Sequence, residues 1–319
     1  MKFHASFEEG LIFDMDEADY HSLQYTSQSF LNSMSEMYPE QAQYARVNPK
    51  EPTDAKKFGT AVHFAILQPD KFDSKYVIAP TCCAITGKGK PCENNATYLM
   101  EDGSWLCGMH SRKPEGRAKI QPETISTEDR DKVLAIRDKV YADPRARVLL
   151  EIAGHKREVT ALFLDPPTGM KCKMRMDVYA GEYGVINDIK TTINIHDFKK
   201  SFYNYGYYWQ NGYYRYGTSI LYQKGLIPKP CSQFNFIVVD KEPPHVVGVF
   251  STPEDQYDLA IAEMRPYMDL TARCEKSGIW PGHGYNWEDG TYLVEDVRID
   301  EFKAREIQRN SILGEIGNV

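Results

Sequence analysis

Residues 171–192 read KCKMRMDVYAGEYGVINDIKTT. Two strand-like runs, 171–180 and 185–191, flank the turn sequence GEYG, the pattern of two antiparallel strands joined by a tight bend. Where such strands prefer apolar residues, they carry Asp177, Asp188 and, two places on, Lys190. Side chains alternate along a strand, so Asp188 and Lys190 share one face while Ile189 points into the core. Neighbouring strands lie about 5 Å apart, so the two aspartates can face a common point. Converging carboxylates repel unless a cation lies between them. Mg²⁺ (or Mn²⁺), a hard ion that takes one or two carboxylates together with waters and phosphate oxygens, suits that role. Lys190 beside it would orient and help deprotonate a water, or stabilise charge building on an attacked phosphorus. Such a set predicts phosphodiester hydrolysis. The plain alternative is an exposed ion pair at strand ends, of little energetic consequence.

Working outward, EVTALFL (158–164) and the turn DPPTG precede this pair and make a three-strand meander. An aromatic run, DFKKSFYNYGYYWQNGYYRYGTSILYQ (197–223), follows as one long helix, then strands at 233–240 and 245–251 and a helix from Pro253. Upstream, TSQSFLNSMSEMYPEQAQYARV reads as a helix capped by Thr26 or Ser27 and interrupted at Pro39. KKFGTAVHFAILQPDKF is a short apolar helix stopped by Pro69, and STEDRDKVLAIRDKVYADPRA an amphipathic helix capped by Ser126 or Thr127. The order α-β-β-β-α-β predicts an α/β fold, a mixed sheet flanked by helices. It is expected as a single domain over 1–319, with an inserted module at 80–118 and an acidic tail at 285–319. The aromatic residues Phe202, Tyr205, Tyr208, Trp209 and Tyr213 read first as core packing, with stacking on an unpaired base as the functional alternative. Lys199 and Lys200 read as a solvated basic turn.

The chain has 319 residues, 42% hydrophobic and 26% charged, ordinary for a globular protein. No apolar run reaches a membrane-spanning length, and the first twenty residues are too acidic for a secretory signal. A cytoplasmic protein is expected, without membrane association. Net charge is −7, which argues against nucleic acid at first sight. The acids concentrate at the two ends, however, leaving the body between them mildly basic and able to form a local phosphate-binding groove.

Seven cysteines are present, and Cys82, Cys83, Cys92 and Cys107 fall close together. In a reducing compartment this favours a metal over disulfides. Cys82, Cys92, Cys107 and His110 supply the four soft or borderline ligands that Zn²⁺ takes in a tetrahedron, with Cys83 open as a substitute for Cys82. A short insert without room for a core needs such a metal to fold. Four protein ligands leave no open position for catalysis. Cys172, Cys231 and Cys274 are expected to be structural.

The segments FGTAVHFAIL, REVTALFLD, MRMDVY, NDIKTT and YYWQNGYY, taken in order, resemble the PD-(D/E)XK nuclease superfamily. Within it they are most similar to the RecE-type exonuclease branch, related to the RecB nuclease domain and lambda exonuclease. The resemblance runs from about Leu23 to Trp280, outside the cysteine-rich insert, and departs where Met176 replaces the proline of the superfamily's name. It implies a restriction-endonuclease-like core and a Mg²⁺-dependent exonuclease acting on duplex DNA ends in the five-prime to three-prime direction. It also implies a ring-shaped homo-oligomer and a single-strand annealing partner in phage-type recombination. By the same resemblance, His63 is a metal ligand or lies just behind one, and Glu158 is an acid near the metal. Asp177, Asp188 and the Ile189 carbonyl are ligands, Lys190 is the catalytic lysine, and Gln210 and Tyr214 support the site. A structure- or sequence-specific endonuclease on the same fold, and a silent DNA- or protein-binding module using the zinc insert, are the alternatives.

Overall fold

A computed structural model of the chain describes residues 7–306 and 308, apart from 79, 95, 97, 101 and 112–122. Residues 112–118 of the expected insert, and 307 and 309–319 of the expected tail, lie outside the described residues.

The chain opens with β1 (Gly10–Ile12) and α1 (Glu17–Ser22), then α2 (Gln28–Glu36), α3 (Pro39–Val47) and α4 (Asp54–Leu67). Ser27 caps α2, Thr53 caps α4, and Pro39 starts α3, where its missing N–H is harmless. Next come α5 (Phe72–Lys75), β2 (Tyr76–Ile78), β3 (Tyr98–Leu99), β4 (Trp105–Leu106) and β5 (Glu123–Ile125). Strands β2 and β5 pair in parallel, so the cysteine-rich segment leaves and re-enters the body through adjacent strands. The helix expected over 126–146 is two, α6 (Thr127–Ala142) and α7 (Pro144–Leu150). Asp143 ends the first and caps the second, accepting from Arg145 N and Ala146 N.

The meander follows as β6 (Lys156–Leu164), β7 (Lys171–Ala180) and β8 (Val185–Thr192). The aromatic run is also two helices, α8 (Phe198–Asn204) and α9 (Tyr207–Gln223). Gly206 between them has φ +64°, a left-handed conformation that no α-helix contains and that glycine adopts freely. Then come β9 (Gln233–Asp240), β10 (Val247–Ser251) and α10 (Asp255–Ser277).

One mixed sheet, ordered β1-β6-β7-β8-β9-β10, forms the middle layer, and β8 and β9 are its parallel pair. One face, with Met174, Met176, Ile186, Phe234 and Phe236, buries against Tyr213 of α9 and Met264 and Met268 of α10. The other, with Val178, Ile189, Ile237 and Val239, buries against Val62 of α4, Ile136 of α6 and Leu150 of α7. Each such side chain contributes about 1.5–3 kcal/mol by leaving water. Met176, in the place of the superfamily's proline, is a core residue of the first face. Helix α9 lies so close to the sheet that a Cβ on Gly217 would come within 2.6 Å of the Phe163 ring. Among the described residues no helix is long and apolar enough to cross a membrane.

Candidate functional site

Three acids stand in one row across β6, β7 and β8. Arg157 pairs with Val178, Val159 with Met176, and Val178 with Asn187. Glu158 is therefore opposite Asp177, and Asp177 opposite Asp188. At this row the regular ladder gives way. Glu158 has φ +54°, rare for a residue with a side chain. Val159, Ala161, Met174 and Met176 face the α9–α10 core, whereas Val178 faces the α4–α6 core, so β6 and β7 change faces together. Strain of this kind, about 1–3 kcal/mol, persists where packing on both sides over-determines the backbone. In place of a ladder partner, Asp177 Oδ2 accepts from the Ile189 N–H at 2.8 Å.

Asp188 is 2% exposed and points to the α9 side. Its Oδ1 accepts from Gln210 Nε2 at 2.5 Å, and Lys190 Nζ lies 2.5 Å from its Oδ2. The Lys190 ammonium also sits 4.7 Å from the centre of the Tyr207 ring. Helix α4 packs against β8, with Gly59 facing Thr191. One turn later it presents His63, whose Nδ1 lies 3.3 Å from Asp177 Oδ2. Tyr214 acts from behind: its hydroxyl donates to the Arg175 carbonyl at 2.8 Å.

The electrostatics are those of crowded acids. Burial, then Asp188 and Glu158, push the Asp177 carboxyl well above its ordinary value. Burial, then the Lys190 charge, lower His63 and favour neutral imidazole, the form that ligates metals. Lys190 is held above its usual value because Asp188 and Asp177 outweigh the effect of its burial. A part-buried and a buried carboxylate, Asp177 and Asp188, with the His63 imidazole 3.3 Å from Asp177 and the Ile189 backbone beside them, are donors of the kind a hard divalent cation takes. Above it opens a cleft of about 1390 Å³, lined by His63, Glu158, Asp177, Lys190, Tyr20 and Lys56 among others.

All seven residues expected at the site thus come together around one row. Glu158 is engaged differently from the others, its Oε2 accepting from Arg175 Nε at 2.5 Å. Arg175, Tyr207 and Tyr20 were not foreseen. The only signal for Arg175 was a cation two places before Asp177. Of the aromatic run, Tyr213 and Trp209 are core, whereas Tyr205 is exposed. Lys200 pairs with Asp197 in solvent.

The second expected cluster also assembles. Cys82, Cys92, Cys107 and His110 bring their ligand atoms within 4.8 Å of one another, with His110 Nδ1 3.4 Å from Cys82 Sγ and 3.3 Å from Cys107 Sγ. Cys82 is buried in the cluster and Cys83 is exposed, which settles the geometry in favour of the former. Three thiols and an imidazole at this spacing suit a tetrahedral ion.

A mixed sheet covered by helices on both faces, with a D…D-x-K row opening on a cleft, defines the PD-(D/E)XK class. A family model described as a PDDEXK-like domain of unknown function (DUF3799) matches residues 27–288, and the chain belongs to that family. Among solved structures it is similar to a candidate exonuclease from Eubacterium rectale, at 15% identity over 92% of this chain and 98% of that one, with a TM-score of 0.55. At that identity the likeness shows the fold. No curated protein matches the chain.

Proposed function

We propose that this chain is a divalent-metal-dependent deoxyribonuclease that hydrolyses phosphodiester bonds from duplex ends, in the five-prime to three-prime direction of the RecE-like enzymes it resembles. The observation that carries the reading is the row of Glu158, Asp177 and Asp188, with Lys190 Nζ 2.5 Å from the buried Asp188 and with Glu158, Asp177 and Lys190 lining an open cleft. Asp177, Asp188, His63 and the Ile189 carbonyl would hold Mg²⁺ or Mn²⁺. Bound there, such an ion supplies neutralisation of the paired acids and withdrawal of charge from the phosphate. Gln210 fixes the Asp188 carboxylate by its hydrogen bond. Lys190, free to rotate its three protons, donates to a phosphate oxygen or the attacking water as negative charge grows. Tyr214 holds β7 in register behind the site.

End-dependence is supported by the RecE-like motifs and by the description of the Eubacterium rectale neighbour as a candidate exonuclease. A ring of identical subunits would place the acidic termini outside and the basic body against DNA, and its single-stranded product would pass to an annealing protein. The Cys82–Cys92–Cys107–His110 cluster would hold a structural Zn²⁺.

The test is incubation of end-labelled linear, end-blocked and closed circular duplexes with Mg²⁺ or Ca²⁺. Nucleotide release from the linear duplex alone, in Mg²⁺, is expected. Cutting of the circle would make the chain an endonuclease on the same site. Absence of metal-dependent cleavage on every substrate would reject the hydrolytic reading.

A further inference from the structure

Arg175 lies two residues before Asp177, and its guanidinium is only partly used. Nε donates to Glu158 Oε2, but neither Nη1 nor Nη2 meets an acceptor among the described residues, and Nη1 is sealed from solvent. A buried donor without a partner costs about 1–3 kcal/mol. Native proteins keep few of them, and a bound ligand is one reason for an exception. The side chain is 15% exposed and lines the same cleft as Asp177 and Lys190.

Neighbouring groups hold it there. The Arg175 carbonyl accepts from Tyr214, and Cζ lies 5.8 Å from the centre of the Tyr20 ring. Lys173, one face-repeat back along β7, is buried and donates to the carbonyls of Tyr20 and Leu23, which clamps α1 over this end of the strand. The cleft wall carries both charges, with Lys56, Lys71, Lys75, Lys156 and Arg157 beside Arg175 and with Asp14, Asp16 and Glu17 on the α1 side. A phosphate that reaches the Arg175 side of the cleft would meet its guanidinium.

We infer that Arg175 forms a phosphate subsite beside the acidic row, its Nη2 donating to a non-bridging oxygen of the DNA backbone in the cleft. A guanidinium N–H to a phosphate oxygen is a charge-assisted hydrogen bond, among the stronger ones. The Arg175 Nε is bonded to Glu158, so the guanidinium stands at the acidic row itself. Glu158 acts as the positioning residue, since its bond to Nε fixes the guanidinium plane and leaves Nη2 for the ligand. The inference rests on the nuclease reading above and adds to it a determinant of how the strand is seated.

The test is binding of a short blunt DNA duplex, with Ca²⁺ in place of Mg²⁺, across a range of salt concentrations. Wild type, Arg175→Ala, Arg175→Gln, Arg175→Lys and Glu158→Gln are compared, with thermal melting in parallel. Loss of one phosphate contact lowers the slope of log K against log salt by about 0.9 and weakens binding to all sequences alike. Arg175→Ala is expected to show that smaller slope, with Arg175→Gln carrying the same test if the alanine variant does not fold. Arg175→Lys keeps the charge and most of the slope but binds more weakly, having lost the bond to Glu158 that fixes the donor. Glu158→Gln keeps the slope. A role confined to the Arg175–Glu158 ion pair would instead leave every slope at the wild-type value while Arg175→Ala and Glu158→Gln melt alike. That result overturns the subsite and leaves the nuclease reading standing. Wild type with no salt-dependent binding to the duplex would overturn both.

Discussion

Gln210 is the residue through which helix α9 acts on the acidic row, and its removal gives a prediction whose size follows from the structure. Its Nε2 lies 2.5 Å from Asp188 Oδ1, with Gln210 9% and Asp188 2% exposed, so no bulk water replaces the donor. Gln210→Leu keeps the side chain's bulk and deletes the N–H. A hydrogen bond to a charged group is worth about 1.5–3 kcal/mol, which is about 10- to 100-fold in an equilibrium constant. Residues that orient metal ligands are typically worth the same range in metal affinity or activity. The assay is the rate of nucleotide release as a function of Mg²⁺ concentration. Half-saturating Mg²⁺ is expected to rise about 10- to 100-fold, with much of the rate recovered at saturation, because Lys190 and Asp177 are untouched. Gln210→Glu should be worse, since it sets another carboxylate against Asp188. A folded Gln210→Leu protein with the wild-type rate and Mg²⁺ dependence would refute the assignment of Gln210 to Asp188.

Away from the site, Asp165 is fully buried and accepts from Arg265 at 2.8 and 3.0 Å and from Tyr216 at 2.6 Å. Burial alone would raise this carboxyl, but Arg265, Thr168 and Tyr216 more than reverse it, so in the folded protein it lies below its ordinary value. Its stabilisation is therefore complete above the unfolded value of about 3.9 and fades as pH falls through the lower, folded one. Asp165→Ala should lose about 1–3 kcal/mol at neutral pH, because the Tyr216 and Thr168 hydroxyls lose their buried acceptor while Arg265 keeps Asp269. In urea melts the gap to wild type should narrow on acidification; a gap independent of pH would count against the pairing. For the cysteine cluster, metal analysis of purified protein should find about one zinc per chain, retained in Cys83→Ser and lost in Cys82→Ser or Cys107→Ser. Zinc kept by both of the latter variants would show that the ion, if bound, is held elsewhere.

Much of this arrangement was legible before any coordinates. The meander was readable because β6, β7 and β8 are long, β8 is rich in β-branched residues, and turn sequences separate all three, which leaves one register for each hydrophobic face. Asp177, Asp188 and Lys190 stood out as polar residues where that pattern demands apolar ones. The four metal-ligand side chains of the insert were legible for a different reason, since no small core explains three cysteines and a histidine at that spacing. The unforeseen elements are short or depend on distant partners. Strand β1 has three residues and exists only through its pairing with β6. The parallel contact of β2 with β5 closes a gap of more than forty residues, which local pattern does not encode. The break between α8 and α9 lay hidden because aromatic residues continue on both sides of Gly206, although the glycine itself was the available signal. At the site, the positive φ of Glu158 and the change of face at Glu158 and Asp177 keep the strand register while turning side chains round, which no alternating sequence pattern encodes.

The most direct measurement of the central claim is Mg²⁺-dependent release of nucleotides from an end-labelled linear duplex by wild type, Asp188→Ala and Lys190→Ala, with DNA binding and folding checked for each. The structure places both side chains at the acidic row and neither in the main hydrophobic contacts of the fold. Both variants are expected to fold and bind DNA while losing hydrolysis by about 100-fold or more, the scale of removing a group that stabilises transition-state charge. Wild-type rates from either folded variant would contradict the account.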